Sequence, residues 1–308
     1  MKTTAVTAAD VSASVISVPP LARNSDLSLN AAENAKIVQH LYAGGVTTLL
    51  YGGNAVLYHV SVCEFPSLLA MLTSIAPPDA LTIPSVGPSY GLMQDHARIL
   101  KDFQFPTAMV LPQKEITTSA GIATGVRRFV ESYGKPAVLY IKHDAYIEVA
   151  AVRKLADDGL LSFIKYAVVR DNPAQDDYLR ALVDAVGPSL IVSGIGEQPA
   201  VPHLRTFGLG GFTSGCVCIA PKLSMDVLRA VRAGDYATAD RIRETFRPLE
   251  DLRNSINPIR VLHAAVALAG IAKTGPILPL LSDVDESHVP AIRDAAVKLL
   301  AAETAARG

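Results

Sequence analysis

The chain contains 308 residues, half of them hydrophobic, and its 28 basic and 29 acidic side chains give a net charge of −1. This length is enough for one large domain or for a domain with an appendage, and the balanced charge leaves no basic surplus for binding nucleic acid. The longest apolar stretch, residues 261–271, is too short to cross a bilayer, so we expect no membrane partner. The N-terminal segment lacks the sustained apolar run of a secretory signal, so we expect a cytoplasmic location.

Short runs rich in β-branched or apolar residues predict eight strands, at residues 15–18, 47–51, 81–85, 107–111, 137–141, 163–166, 190–193 and 211–214. Segments with helical spacing lie between most of them, at residues 31–43, 64–75, 120–133, 149–156 and 175–186. Each strand-helix step takes roughly 25 to 30 residues, the size of a βα unit. Eight units with near-continuously apolar strands predict the α/β class and a closed parallel (β/α)₈ TIM barrel. Fewer strands would favour an open doubly wound sheet, the alternative architecture.

Helical patterns without strands follow, at residues 223–233, 236–254, 259–272 and 289–302. We therefore predict a barrel over residues 1–222 and a C-terminal helical region over residues 223–308 that packs on the barrel. The first thirteen residues or so, and the last few, are expected to be loose.

The three cysteines, Cys63, Cys216 and Cys218, give no disulfide framework and are expected to be reduced core thiols. Cys216 and Cys218 would share one strand face, but a Cys-x-Cys pair without nearby ligands is a weak metal signal. No cluster of His, Asp or Glu stands at the predicted strand ends either. We therefore expect no metal and no cofactor, although a barrel with metal-dependent aldol chemistry is one alternative.

Lys165 ends the sixth predicted strand within an apolar segment, and Tyr140 ends the fifth, one βα unit earlier. A lysine that snorkels to water is the ordinary interpretation of such a residue, whereas burial would lower its pKa and make the amine nucleophilic. The neighbouring strands would place the phenol beside the amine, where it can shuttle protons during imine formation. Lys165 and Tyr140 are therefore the predicted catalytic residues of a metal-independent lyase that forms a Schiff base with a 2-oxo acid.

Small residues at other strand ends are candidates for binding the substrate. Gly53 and Asn54, after the second strand, offer backbone and amide donors to a carboxylate. Gly194 and Gly196, after the seventh, either let a substrate approach the backbone or only make a turn. Ser214 ends the eighth strand and is either a carboxylate ligand or a serine of the barrel core.

Other polar residues near these strand ends are weaker candidates. Lys142 lies two positions beyond Tyr140 and nominally shares its strand face, so it is the competing lysine. The adjacent His143 and Asp144 are either an acid-base pair or part of a surface loop. Glu197 could contact a substrate hydroxyl.

Four segments of the chain carry a family pattern in their order and spacing: residues 44–54 (GGVTTLLYGGN), 139–140, 163–165 and 209–214 (LGGFTS). From about residue 15 to about residue 285 the chain resembles the dihydrodipicolinate synthase / N-acetylneuraminate lyase superfamily. The resemblance implies a (β/α)₈ barrel with C-terminal helices, usually a homotetramer. It also implies that Lys165 is the Schiff-base lysine, Tyr140 the proton-shuttling tyrosine, and Gly53 and Asn54 the positions that bind the carboxylate.

The chain departs from this family at several positions. The usual G-T-T-G-E motif is replaced by GGNAV at residues 52–56, although Asn54 retains amide donors. An arginine for a second carboxylate falls on Ala145, and a paired tyrosine motif falls on Gln113 and Lys114. Dihydrodipicolinate synthase activity itself is therefore not expected. The chain instead resembles the sugar-acid dehydratases, especially 5-dehydro-4-deoxyglucarate dehydratase, in three segments. These are the glycine pair after strand two, the eighth strand with the residues that follow it up to Pro221, and GPILPL at residues 275–280.

Two interpretations thus remain from the sequence. The first is a Schiff-base lyase, an aldolase or a dehydratase of a 3-deoxy sugar acid, that takes a pyruvate-like or sugar-derived 2-oxo acid. The second, favoured by the altered 52–56 segment, is a catalytically silent barrel that binds a small acid in a regulatory or assembly role. In either case we expect a homo-oligomer, a tetramer or a dimer.

Overall fold

The computed structural model describes residues 1–307, which form a closed parallel barrel surrounded by helices. The strands are β1 (Ile16–Ser17), β2 (Thr48–Leu50), β3 (Leu81–Ile83 and Ser85–Val86), β4 (Ala108–Val110), β5 (Ala137–Ile141), β6 (Leu161–Tyr166), β7 (Ile191–Ser193) and β8 (Gly211–Ser214). Each strand pairs in parallel with its neighbours, and β8 pairs with β1. The predicted barrel is confirmed, and the open sheet is wrong.

Strand β3 closes the barrel although Pro84 divides it into two segments. The first segment pairs with β2 and the second with β4. Pro84 has no N–H to donate, but its carbonyl oxygen accepts a hydrogen bond from Met109 N at 2.9 Å. The strand therefore connects its two neighbours across the proline.

The helices are α1 (Ala8–Ala13), α2 (Ala31–Ala43), α3 (Phe65–Ile75), α4 (Tyr90–Leu100), α5 (Ser119–Tyr133), α6 (Val149–Asp157), α7 (Asp177–Val186), α8 (Glu197–Phe207), α9 (Pro221–Arg232), α10 (Tyr236–Ser255), α11 (Pro258–Leu268) and α12 (Val289–Arg307). Helices α2 to α9 alternate with the strands, and α10 to α12 follow the barrel. Within residues 1–307, none of the helices has the length and apolarity that crossing a membrane requires.

The N-terminal segment is ordered, contrary to the expectation that it would be loose. Thr7 and Asp10 form a reciprocal cap at the start of α1, with Thr7 N donating to Asp10 Oδ2 at 2.8 Å. Lys2 pairs with Asp10 at 3.2 Å, and its backbone N–H donates to Ala80 O at 2.9 Å. Local capping therefore holds a helix of six residues against the barrel.

Two of the C-terminal helices cap helices of the barrel. Helices α8 and α9 begin without a side-chain cap of their own. Glu250 of α10 accepts hydrogen bonds from the first two N–H groups of α8, at 2.8 and 3.0 Å. Glu303 of α12 accepts from Lys222 N and Leu223 N of α9, both at 3.0 Å. The unpaired N–H groups and the positive end of a helix favour an anion there, so these carboxylates bind the C-terminal helices to the barrel.

Helix α9 packs between α8 and α2 and so completes the ring of barrel helices. We therefore propose that the division between the barrel and the C-terminal helical region falls near Gly234, after α9, and not between residues 222 and 223. Gly308, the last residue of the predicted C-terminal region, lies outside the described residues.

The cysteines differ in part from the expectation of core thiols on strands. Cys216 and Cys218 are buried, but they lie in a short 3₁₀ turn after β8, whereas Cys63 is exposed. Among residues 1–307, no group of three or more His, Cys, Asp or Glu side chains is arranged to hold a metal ion.

Replacing Glu303 by Gln should lower the free energy of unfolding by about 1 to 2 kcal/mol, because α9 loses a charged, two-oxygen cap. Thermal or denaturant unfolding of the two proteins measures this difference. Glu131→Gln, on the exposed face of α5, is the matched control and should change stability by less than about 0.5 kcal/mol. Equal effects of the two substitutions would show that the Glu303 cap does not stabilise the fold.

Candidate active site

A cavity of about 740 Å³ opens at the carboxyl ends of the barrel strands. This is the end at which (β/α)₈ barrels carry their active sites, and the volume suits a small molecule. Six of the seven predicted site residues line the cavity: Lys165, Tyr140, Gly53, Asn54, Gly194 and Gly196. Ser214 is the exception.

Lys165 is buried inside the barrel, with 5% of its surface exposed. It pairs in register with Tyr140 on β5, so both side chains point to the same face of the sheet. Lys165 Nζ lies 4.4 Å from the centroid of the Tyr140 ring. Burial lowers the pKa of this amine to about 7, and the nearby cations Lys142 and Arg253 contribute to the same shift. The predicted buried amine beside a phenol is therefore present.

Tyr140 is also almost fully buried, and burial raises the pKa of its phenol to about 12. The phenol therefore keeps its proton at neutral pH and acts first as a donor. Its ring covers one side of the Lys165 amine, where a positive charge is attracted by the aromatic face. Burial still decides the net direction of the shift, because desolvation is the largest cause acting on Lys165.

The segment after β2 places Gly53 and Asn54 at the cavity. One amide hydrogen of Asn54 is used, since Nδ2 donates to Val18 O at 2.8 Å. The second amide hydrogen is left for a ligand. A Cβ atom on Gly52 would lie 2.7 Å from Met109 Cε, so this glycine lets the segment pack closely on the barrel.

Gly194 and Gly196 line the cavity, but the packing of the protein itself requires them. A Cβ atom on Gly194 would lie 2.6 Å from Tyr166 O. Gly196 has a φ of +100°, and a Cβ atom there would lie 2.0 Å from Glu250 Oε1. The absence of side chains at both positions makes room for the protein backbone and for the Glu250 cap.

Ser214 points away from the cavity, and Thr213 takes the place predicted for it. Successive residues of a strand face opposite sides of the sheet. Ser214 Oγ donates to Glu197 Oε2 at 2.8 Å, on the outer side of the barrel. Glu197 also accepts a hydrogen bond from Ser224 at 2.6 Å and is fully buried there. It therefore does not line the cavity, contrary to the expectation that it could contact a substrate hydroxyl.

Thr213 and Arg253 are among the cavity residues that were not identified from the sequence. Thr213 Oγ1 is buried and has no hydrogen-bond partner within residues 1–307. Strict alternation counted along β8 would have selected it over Ser214. Arg253 comes from α10 and reaches the cavity only because that helix packs across the barrel, so no local sequence signal identifies it.

The segment after β5 is split between the cavity and the surface. Lys142 lines the cavity but is exposed. Asp144 is exposed and forms an ion pair with Arg170 from the loop after β6, which supports the surface-loop interpretation for His143 and Asp144. Burial lowers the pKa of both candidate lysines, and Lys165 is the one that is buried inside the barrel beside Tyr140.

No protein-family model matches the chain. Over 262 residues it is 26% identical to a probable 5-dehydro-4-deoxyglucarate dehydratase of Allorhizobium ampelinum, and the aligned region covers 80% of this chain and 83% of that protein. Over 290 residues it is 26% identical to a protein of the same name from Rhizobium meliloti, and the aligned region covers 89% of this chain and 91% of that protein.

Solved structures share the whole fold. Dihydrodipicolinate synthase from Bacillus clausii matches with a TM-score of 0.81 at 22% identity, over 96% of this chain and 99% of that one. Sialic acid aldolase from Ruminococcus gnavus matches with a TM-score of 0.83 at 15% identity, over 96% and 99%. The barrel and the relatives in sequence agree with the resemblance carried by the four segments. The chain is thus similar in sequence to 5-dehydro-4-deoxyglucarate dehydratases and shares the fold of dihydrodipicolinate synthase and sialic acid aldolase.

Proposed function

We propose that the protein is a lyase that forms a Schiff base between Lys165 and a 2-oxo acid, without a metal ion. The observation that carries the proposal is the burial of Lys165 beside Tyr140, with the pKa of the amine lowered to about 7. A fraction of such an amine is neutral at physiological pH, and the neutral form is the nucleophile. An ordinary lysine, with a pKa near 10.4, offers almost none of this form.

In the first step the neutral amine attacks C2 of the 2-oxo acid, and the carbonyl oxygen takes a proton to give a carbinolamine. Its hydroxyl then leaves as water, for which it needs a second proton. The phenol of Tyr140 relays the first proton from the nitrogen to the carbonyl oxygen and then donates the second to the leaving hydroxyl. The phenolate recovers its proton from solvent, so formation of the iminium ion from the neutral amine consumes one proton in total. The product is an iminium ion bound to Lys165.

The iminium ion withdraws electrons from the neighbouring carbon. Loss of a proton from C3 gives an enamine, and the enamine can expel a hydroxyl group from C4 as water once that group is protonated. Cleavage of the bond between C3 and C4 is the aldolase alternative. The names of the relatives in sequence support dehydration of a sugar acid, and the aldolase is similar in fold. We therefore favour the dehydratase, and dihydrodipicolinate synthase activity is not favoured.

The carboxylate next to the reacting carbonyl is assigned to Gly53 and Asn54, which line the cavity and of which Asn54 keeps one amide hydrogen that is not used by Val18 O. One observation favours the second candidate, a silent barrel that only binds an acid. One amide hydrogen of Asn54 is already bonded to Val18 O. Gly53 and Asn54 therefore offer a carboxylate fewer free side-chain donors than the two threonine hydroxyls of the usual G-T-T-G-E motif. Covalent trapping separates the two candidates. We also propose a homo-oligomer, a tetramer or a dimer, from the family resemblance.

Borohydride added in the presence of pyruvate should reduce the imine and leave one covalent adduct on Lys165, located by peptide mass spectrometry. Lys165→Ala should abolish the adduct, because the buried amine beside Tyr140 is gone. Lys142→Ala is the matched control and should still be trapped. Trapping of Lys165→Ala, or an adduct on Lys142, would refute the proposed nucleophile. Failure of pyruvate and of a panel of 2-oxo sugar acids to react would favour the silent barrel.

The rate of adduct formation should rise with pH up to about 7 and become level above about 8, because the folded-state pKa of Lys165 is lowered to about 7. Initial rates with pyruvate and cyanoborohydride at a series of pH values measure this midpoint. Lys142→Met removes one of the nearby cations that lower this pKa, so the midpoint should move upward. A wild-type rate that keeps rising to pH 10 would mean that the lysine is not desolvated.

Tyr140→Phe should slow adduct formation by about 10²-fold to 10³-fold, because the leaving hydroxyl loses its proton donor while the amine remains. The amount of adduct in samples quenched at a series of times, at a fixed pyruvate concentration, measures the rate. Tyr146→Phe, whose hydroxyl accepts from Gln113 N in a groove outside the barrel mouth, is the control and should react at nearly the wild-type rate. Equal rates for Tyr140→Phe and wild type would remove the phenol from the mechanism.

A further inference from the structure

Arg170 joins the two loops that follow the strands of Tyr140 and Lys165. It lies in the loop after β6, where its Nε donates to Asp176 Oδ2 at 3.0 Å and its Nη2 donates to Asp176 Oδ1 at 3.2 Å. Nη2 also donates to Asp144 in the loop after β5. An arginine fork that binds a carboxylate through two hydrogen bonds is held in one orientation. The guanidinium is therefore fixed on Asp176 and connects the loops of the two neighbouring strands.

Asp176 is a buried carboxylate that both Arg170 and Tyr166 contact. Its side chain is fully buried, and it accepts a hydrogen bond from the Tyr166 hydroxyl at 2.6 Å and another from Leu179 N, at the start of α7, at 3.0 Å. Burial by itself raises the pKa of Asp176, but the hydrogen bonds from Arg170 and Tyr166 outweigh it and bring the pKa below the ordinary value. The carboxylate is therefore ionised at neutral pH, and it anchors the loop, the strand end and the helix at one point.

Tyr166 connects this anchor to Lys165, the residue before it on β6. Successive side chains of a strand face opposite sides of the sheet, so the buried Tyr166 ring lies outside the barrel while Lys165 points into the cavity. The ring packs against Tyr178 of α7 and His203 of α8, with centroid distances of 6.1 and 6.3 Å. The Tyr166 carbonyl oxygen accepts a hydrogen bond from Gly194 N at 2.6 Å. Holding the Tyr166 hydroxyl therefore fixes the end of the strand and the direction in which Lys165 points.

The segment that follows Tyr166 depends on the same anchor. Among residues 1–307, the backbone of residues 168–171 makes no hydrogen bond to another backbone group. Val168 is buried, but Val169 is 75% exposed at the mouth of the cavity. The side chain of Arg170 therefore supplies the hydrogen bonds that attach this segment to the barrel.

Asp144 attaches the loop after β5 to the same guanidinium. This loop follows Tyr140 and carries Lys142, which lines the cavity and is one of the cations that lower the pKa of Lys165. The Asp144 side chain is 59% exposed, and an exposed ion pair adds little to stability. The pair with Arg170 therefore places the loop more than it stabilises the fold.

We propose that Tyr166 and Asp176 are positioning residues for Lys165: they hold the end of β6 so that the amine stays dry and in place against the phenol ring. The inference rests on the proposed function, in which Lys165 is the nucleophile. Neither Tyr166 nor Asp176 lines the cavity, so both act through the strand and not by touching the substrate. Without the Tyr166 hydroxyl the strand end is released from Asp176, and water reaches the amine. Hydration stabilises the charged form, so the pKa of Lys165 moves back toward its ordinary value.

The test compares wild type with Tyr166→Phe, which removes one hydroxyl and keeps the buried ring. Initial rates of trapping with pyruvate and cyanoborohydride at a series of pH values give the midpoint for Lys165. We expect the midpoint to rise by about one pH unit, which lowers the neutral fraction and the rate about fivefold at pH 7. At about pH 10 the amine is neutral in both proteins, so the ratio of the two rates should approach one. The titratable and charged groups around the amine, Tyr140, Lys142 and Arg253, are unchanged in this variant.

Asp176→Asn removes the charge that holds the guanidinium, while an asparagine can still cap α7. Its midpoint should rise as well. Loss of a negative charge that acted directly on the amine would lower the midpoint instead, so a fall would contradict the positioning role. Tyr133→Phe is the matched control. The buried Tyr133 donates to Phe105 O at 2.5 Å, ahead of β4 and at the opposite end of the barrel, so this variant should keep the wild-type midpoint.

Circular dichroism and the unfolding temperature check each variant, and if one of the two positioning variants does not fold, the other decides. A wild-type midpoint in Tyr166→Phe, or a rate lowered by the same factor at pH 7 and pH 10, would overturn the proposal. Acetylation of Lys165 by acetic anhydride, located by peptide mass spectrometry, reports the same midpoint without any 2-oxo acid. If wild type forms no adduct with any acid, the Schiff base fails, whereas a shift of the acetylation midpoint in Tyr166→Phe would still support the positioning role.

Discussion

Desolvation of one ammonium group at the mouth of the barrel is the constraint on which the candidate site depends. Lowering the pKa of Lys165 from its ordinary value of 10.5 to about 7 corresponds to about 5 kcal/mol against the charged form. The layer beneath is closed by apolar side chains, including the fully buried Val138 and Phe163, so water does not reach the amine from below. The stability of the closed barrel compensates for this cost, and a nucleophile at neutral pH results.

The C-terminal helices belong to this site as much as to the fold. Glu250 and Glu303 satisfy the open ends of α8 and α9, which carry no caps of their own. The same helix that provides Glu250 delivers Arg253 into the cavity three residues later. The barrel supplies the amine and the phenol, and α10 adds a cation that a barrel strand could carry only in place of a core residue.

Much of this arrangement follows from the sequence. Eight apolar runs at a βα spacing require a closed barrel, and the parallel register of β5 and β6 then brings Tyr140 beside Lys165. Helices α4 and α8 were not predicted; α4 contains a glycine, and α8 contains Pro199 and Pro202, which weaken the local helical signal although packing on the barrel maintains it. Ser214 was chosen over Thr213 because its position at the strand end was weighed above the alternation of faces. Arg253 depends on the path of α10 across the barrel, which no local pattern encodes.

The central claim is that the Lys165 amine becomes covalently bound to the carbonyl carbon of a 2-oxo acid. A crystal structure of the protein soaked with pyruvate tests it most directly. The account predicts continuous electron density from Lys165 Nζ to C2 of pyruvate, with the carboxylate against Gly53 and Asn54 and the Tyr140 hydroxyl facing the new bond. An unmodified Lys165 at full pyruvate occupancy, or density that joins the ligand to Lys142, would contradict it.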